Sequence, residues 1–192
     1  MSEKLGKIDI PRLNEAYQKV LLWFFNFPND ELSLSDLASN LAISKSTANK
    51  VITRLISEGF LKKKVFGKAW SISCNQMHSY NHSLKVAYNL MMISNSKIIE
   101  EVHNVARSSR AIILFGSYRK GDDTEKSDID IAVEVLDSQT LKIQKLGVLS
   151  NFGYRQNVTV NLHIFSRNNI DLNLFSNISN GIVLDGFLEV KP

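Results

Sequence analysis

LFGSYRKGDDTEKSDIDIAV, residues 114–133, sets a Gly-Ser pair directly after an apolar run and two aspartates, one residue apart, eleven residues past the serine. The apolar run, AIILF at 111–115, reads as a strand buried on both faces. Gly116 has no Cβ, so the backbone there can approach a phosphate closely. Ser117 can open a helix, whose free N–H groups and dipole favour anions, and its hydroxyl adds one more donor. Gly121 permits a second sharp turn. In SDIDIAV, residues 127–133, acid and apolar positions alternate. On a strand, Asp128 and Asp130 share one face while Ile129 and Ile131 enter the core. Strand rise sets their Cα atoms roughly 6.5–7 Å apart. Both carboxylates can then reach one Mg²⁺, or two ions about 3.5–4 Å apart. A coincidental turn before an acidic strand is the bland alternative. It has to produce the strand, Gly-Ser, Gly and Ser-Asp-x-Asp-x-x-Val in that order.

This combination resembles the DNA polymerase β nucleotidyltransferase superfamily, most closely its minimal nucleotidyltransferase branch. The resemblance runs from about residue 111 to the C-terminus, and GIVLDG at 181–186 suits the closing strand of such domains. It implies that Gly116 and Ser117 hold the triphosphate of a nucleoside triphosphate. It implies that Asp128 and Asp130 are catalytic and hold Mg²⁺ or Mn²⁺. The implied reaction moves a nucleoside monophosphate to a hydroxyl and releases pyrophosphate, with two metals clamping the attacking and leaving oxygens. Positioning and charge stabilisation do most of that work. The family usually completes the site with a third carboxylate on a neighbouring strand.

That acid is missing here. The matching strand is VTVNLHIF, residues 158–165, with Val158, Val160, Leu162 and Ile164 on one face and Thr159, Asn161, His163 and Phe165 on the other. The expected acid falls at Asn161. An amide offers a neutral carbonyl but no charge, and it is no base near neutral pH. His163 shares the face and could ligate a metal or take a proton, or simply pack. Glu134 has the parity of Asp128 and Asp130 but lies farther along its strand. Two carboxylates bind one Mg²⁺ together with phosphates and make a weak second metal site.

Outside this region the charge is uneven. The 192 residues carry a net +4, and residues 1–75 account for all of it. Between 44 and 70, Lys45, Lys50, Arg54, Lys62, Lys63, Lys64 and Lys68 face only Glu58. Such concentration is an electrostatic footprint for a polyanion, although a solvated basic face gives the same count. Leu13, Ala16, Tyr17, Val20, Leu21 and Phe24 recur at helical spacing after Pro11, and Pro28 ends that helix. A short helix fits 35–40 with Ser35 as cap, and a third starts at Ser44 with Ala48, Val51, Ile52 and Leu55 inward. Gly59 suits a helix end, and LKKKVFGKAWSIS reads as a hairpin turning near Gly67. This order, with LSLSDLASNLAISKSTANKVITRLISEGFLKK, resembles the winged helix-turn-helix family. The resemblance implies DNA contact by Lys45, Ser46, Asn49, Lys50 and Thr53 on the third helix. Lys62, Lys63, Lys64 and Lys68 would lie on the wing beside the phosphates. Winged helices also serve as protein-contact modules.

Residues 76–108 read as a helical connector broken near 94–96, with Met91 and Met92 as core filling or dimer packing. His78 and His82 could share a helix face but lack an evident third ligand. The minimal branch often pairs with a HEPN toxin partner, whose usual Arg-x4–6-His motif is absent around His78, His82, His103 and His163. The single cysteine, Cys74, reads as a small core residue and fits a reducing cytoplasm. No signal peptide opens the chain, and VLLWFF at 20–25 is too short for a membrane span.

The expectation is therefore an α+β, cytoplasmic protein. Residues 1–75 form a winged helix-turn-helix, mostly α with a β wing, 76–108 the connector, and 109–192 a mixed-sheet nucleotidyltransferase domain. The partners are DNA and a nucleoside triphosphate, with a homodimer open and no membrane. Either the domain transfers nucleotides, or it is a catalytically inactive nucleotide sensor in a transcriptional regulator. A third reading has the basic unit gripping an acceptor RNA.

Overall fold

A computed structural model describes residues 15–67, 69–136 and 140–190. Helix α1 (Glu15–Asn26) buries Tyr17, Val20, Leu21, Phe24 and Phe25, the apolar stripe of its sequence. Pro11 and Leu13, read as its opening turn, lie outside the described residues. After a two-residue strand, β1 (Glu31–Leu32), comes α2 (Leu34–Asn40). Its cap is Ser33, not Ser35. The Ser33 hydroxyl donates to the Asp36 carboxylate at 2.7 Å and accepts from the Asp36 N–H at 3.2 Å. That reciprocal pair starts the helix earlier than the apolar pattern alone implied. Helix α3 (Lys45–Ser57) is capped by Ser44, whose Oγ accepts from Thr47 N at 3.0 Å. Gly59, at φ +83°, turns the chain out of it. Strands β2 (Leu61–Phe66) and β3 (Ala69–Cys74) form the hairpin at Gly67. The small sheet runs β1-β3-β2, all antiparallel.

The connector folds as α4 (Ser79–His82), α5 (Leu84–Ser94) and α6 (Ile98–Val105), with the break where the sequence placed it. His78 caps α4 through Nδ1, and its Nε2 lies 3.0 Å from the Glu58 carbonyl. His82 Nδ1 lies 3.2 Å from the Lys120 carbonyl. Both are thus structural partners of backbone. Met92 packs on the core while Met91 is 53% exposed. Cys74 is buried, which pushes its thiol up to about 11 and makes it inert.

The main sheet uses β4 (Ser109–Phe115), β5 (Ile129–Val135), β6 (Lys142–Phe152), β7 (Arg155–Phe165) and β8 (Ile182–Gly186), in the order β6-β7-β5-β4-β8. Strands β5 and β7 are parallel and every other pair is antiparallel. Helix α7 (Gly116–Lys120) follows β4 directly, and α8 (Leu172–Ser179) precedes β8. The two faces of the sheet differ. Ile112, Leu114, Ile129, Ile131, Val133, Val158, Val160, Leu162 and Ile164 join one continuous core with α1, α3 and the connector. Ala111, Ile113, Phe115, Ala132 and Phe165 pack on the other side with Ile178 of α8. An aromatic series ties the N-terminal helices to the sheet: Phe60 to Phe25, Phe25 to Tyr88, Tyr88 to Phe152, and Phe152 to Tyr118 of α7. Among the described residues no helix is long and apolar enough to cross a membrane.

Candidate functional site

Alternation along β5 and β7 puts every sequence-selected polar residue on the face that α8 only partly covers. Gly116 sits at φ +72°, and a Cβ there would fall 2.8 Å from Asp130 Oδ2. A side chain is thus excluded twice, by backbone conformation and by the approach of the carboxylate. The pairing of Phe115 with Asp130 across β4 and β5 brings this about. Gly121 ends α7 at φ +80°, its N–H donating to the Ser117 carbonyl at 2.8 Å. A Cβ at Gly121 would meet the Asn81 carbonyl oxygen at 1.7 Å, so α4 closes over this turn.

Asp128 is exposed immediately before β5, and Asp130 is half-buried on it. Parallel register sets Asn161 beside Asp130. The Asn161 Nδ2 lies 3.4 Å from Asp128 Oδ2 and 3.4 Å from Asp130 Oδ1. These are long hydrogen bonds, near the outer limit of useful strength. His163 Nε2 is 3.5 Å from the same Asp130 Oδ1. Its ring stands edge-on to Phe115, and its buried Nδ1 has no hydrogen-bond partner. All four side chains, Asp128, Asp130, Asn161 and His163, therefore converge. Glu134 does not join them. It is buried at the other end of β5, 3.0 Å from Arg167 and 4.0 Å from Arg110.

Two carboxylates and one amide are oxygen donors of the kind Mg²⁺ accepts, once a half-turn of the amide presents its carbonyl. Among the described residues no group of three or more His, Cys, Asp and Glu side chains is placed to hold a metal. The donor set fits a single ion whose remaining positions come from phosphate or water, and does not fit a pair. Beside Gly116 a cleft of about 240 Å³ is lined by Phe115, Arg119, Lys120, Leu174, Asn177 and Asn180. The sequence reading missed these lining residues. Arg119 and Lys120 carried the signal, two cations three and four places after Gly116 on a helix. Asn177 and Asn180 carried none, because only the docking of α8 brings them here.

Comparison with known proteins bears on this arrangement directly. The family described as polymerase beta nucleotidyltransferase matches residues 96–185. A protein of Methanocaldococcus jannaschii, named "Putative protein adenylyltransferase", is 39% identical over 71 residues. That alignment covers 31% of this chain and 71% of the relative. The chain belongs to the polymerase beta nucleotidyltransferase family. The matched segment starts within the connector, just before α6, so α1 to α5 lie upstream of it. Members of this family generally use a nucleoside triphosphate and a divalent metal.

On that upstream part, Lys45, Ser46, Asn49, Lys50 and Thr53 are exposed on α3, and Thr53 donates to Asn49 at 3.3 Å. Lys62, Lys63 and Lys64 are exposed on β2, while Lys68 lies outside the described residues. The three are not equivalent. Lys63 stacks on Trp70, 4.0 Å from the ring centre, and Lys64 lies 3.6 Å from Glu31. Arg54, also counted in the basic excess, is held by Glu58 at 2.8 Å over the Tyr17 ring.

Proposed function

We propose that the chain binds a Mg²⁺–nucleoside triphosphate at Gly116, Ser117, Asp128 and Asp130 and transfers its nucleoside monophosphate weakly. The observation that carries this reading is the Asn161 amide between Asp128 and Asp130, where the family usually has an acid. Gly116 lets the turn pack directly on Asp130, Ser117 offers its hydroxyl, and Arg119 and Lys120 in the adjoining cleft add positive charge. Bound Mg²⁺ would neutralise phosphate charge beside the two aspartates. Transfer forms a bond from an acceptor oxygen to the α-phosphorus and breaks the bond to the pyrophosphate leaving group. The acceptor's proton goes to water or to His163, since Asn161 cannot take it. The relative's name supports an adenylyl group as what is transferred and a protein as acceptor.

The N-terminal unit is a winged helix-turn-helix that contacts DNA through α3 and the β2–β3 hairpin. Its support is the order of elements and the exposed basic face. A second reading, a nucleotide-sensing regulator without transfer, is favoured by the same Asn161. Label from α-labelled but not γ-labelled ATP should appear on an acceptor protein at a low rate. Asn161→Asp should raise that rate by restoring a second metal position, by about 10–100-fold on the scale of metal-site changes. Asn161→Asp with no gain, together with loss of native transfer in His163→Ala, would instead make His163 the working base. No label transfer by either the parent or Asn161→Asp would leave the sensor as the function.

A further inference from the structure

The segment 121–127 joins the Gly-Ser turn to Asp128, and a buried polar clasp holds it from the connector side. Asp123 is 3% exposed and Lys85 of α5 is 1% exposed. The Lys85 ammonium donates to the Asp123 backbone carbonyl and lies 3.3 Å from its carboxylate. Asn89, one turn further along α5 and equally buried, donates to Asp123 Oδ1 at 2.9 Å and to the Tyr118 carbonyl at 3.1 Å. Asn89 thus grips α7 and the loop together. From the other side, buried Arg155 at the start of β7 donates to the Tyr118 hydroxyl and, at 2.6 Å, to the Ser127 carbonyl, one residue before Asp128. Asn29, between α1 and β1, holds Glu125 at 3.1 Å. Burial pushes the Asp123 carboxyl up and the Lys85 ammonium down, against the attraction between them. So costly a pair, on a segment that touches no reacting atom, calls for a reason.

We propose that Lys85 and Asn89 are positioning residues of the nucleotidyltransferase site, contributed by a helix upstream of the family's own segment, and that they act by fixing the 121–127 loop so that Asp128 meets Asp130. The inference rests on the metal–nucleotide reading above. It makes α5 part of the site: residues 96–185 alone contain Asp123 but not Lys85 and Asn89, which clasp it. It also makes α1, which packs on α5 through Phe25 and Tyr88, a support of the same loop.

The test uses full-length protein and two probes, Mn²⁺ alone and Mg²⁺–ATP. Lys85→Met leaves the Asp123 carboxylate buried and unpaired, so it should lower the melting temperature. Lys85→Met/Asp123→Asn removes both charges and should recover most of it. Affinity should not recover, because neither side chain grips the loop carbonyl. Both probes should bind about 10–100-fold more weakly in the double variant, the usual scale for a partner behind a metal ligand. Asn89→Ala, which keeps the ion pair, should weaken both probes in the same direction and covers the case in which the double variant does not fold. A folded double variant, or a folded Asn89→Ala, that binds Mn²⁺ and Mg²⁺–ATP like the parent overturns the positioning role and leaves the site standing. A parent that binds neither probe overturns the site, and the clasp with it.

Discussion

The basic face of α3 and β2 and the cleft at Gly116 handle charge in opposite ways. On the face, Lys45, Lys50 and Lys62 stand apart in solvent, so on the proposed reading each would meet a polyanion nearly alone and their effects should add. Next to Gly116, Asn161 lies 3.4 Å from both Asp128 and Asp130, and His163 lies 3.5 Å from Asp130. Groups that close act as a unit, and removing one changes what the others do. A distributed surface should therefore fail gradually, and a converged site abruptly.

The sharpest break in that contrast is Asp128→Asn/Asp130→Asn. Two amides cannot replace two anionic ligands, so calorimetry should find Mg²⁺-dependent ATP binding abolished. The fold should survive, since the pair is partly solvent-facing and like charges repel without metal. Unchanged Mg²⁺–ATP affinity would move the site elsewhere. DNA binding in the same variant should equal that of the parent.

The β2–β3 hairpin, the proposed wing, offers the graded counterpart. Lys62→Ala should lower the salt slope of DNA binding by about 0.9, one phosphate contact's worth, across all sequences. Lys62, Lys63 and Lys64 changed together should lower it by less than three such steps, because Lys63 and Lys64 already have partners on the protein. Glu31→Gln frees Lys64 and should tighten binding by about 0.2–1 kcal/mol, the scale of an exposed pair. A triple variant that binds as well as the parent at every salt concentration removes the wing from the interface.

A change in the cap of α3 separates folding from both. Ser44→Ala deletes the cap of α3 and should cost about 0.5–2 kcal/mol of stability, read by denaturant midpoint. Mg²⁺–ATP affinity should stay put, because α3 contributes nothing to the loop at 121–127. A fall in that affinity would mean that the two regions are coupled more tightly than the clasp accounts for.

Local rules carried much of this molecule. Helix α3 was legible because Ser44, four inward apolar residues and Gly59 each obey a short-range requirement. The Gly-Ser turn, the Asp-x-Asp strand and the place of Asn161 were legible because strand parity is set by the pleat alone. Strand β6 was not, since as an edge strand it carries polar residues on both faces and no clean period. Helix α8 was hidden in LNLFSNIS, a stretch that a strand would also suit. Parity put Glu134 on the face of Asp128 and Asp130, and spacing put it farther along the strand, but neither showed what it would meet there. Arg110 and Arg167 take it up there, through a long-range pairing. Lys85 shows the limit most clearly. Nothing in the sequence around it singles it out, and it is buried against a loop nearly forty residues later. Sequence fixes what depends on neighbours within a turn of helix or two residues of strand. Tertiary packing alone decides which distant groups share a dry space, and with it which charges become part of a site.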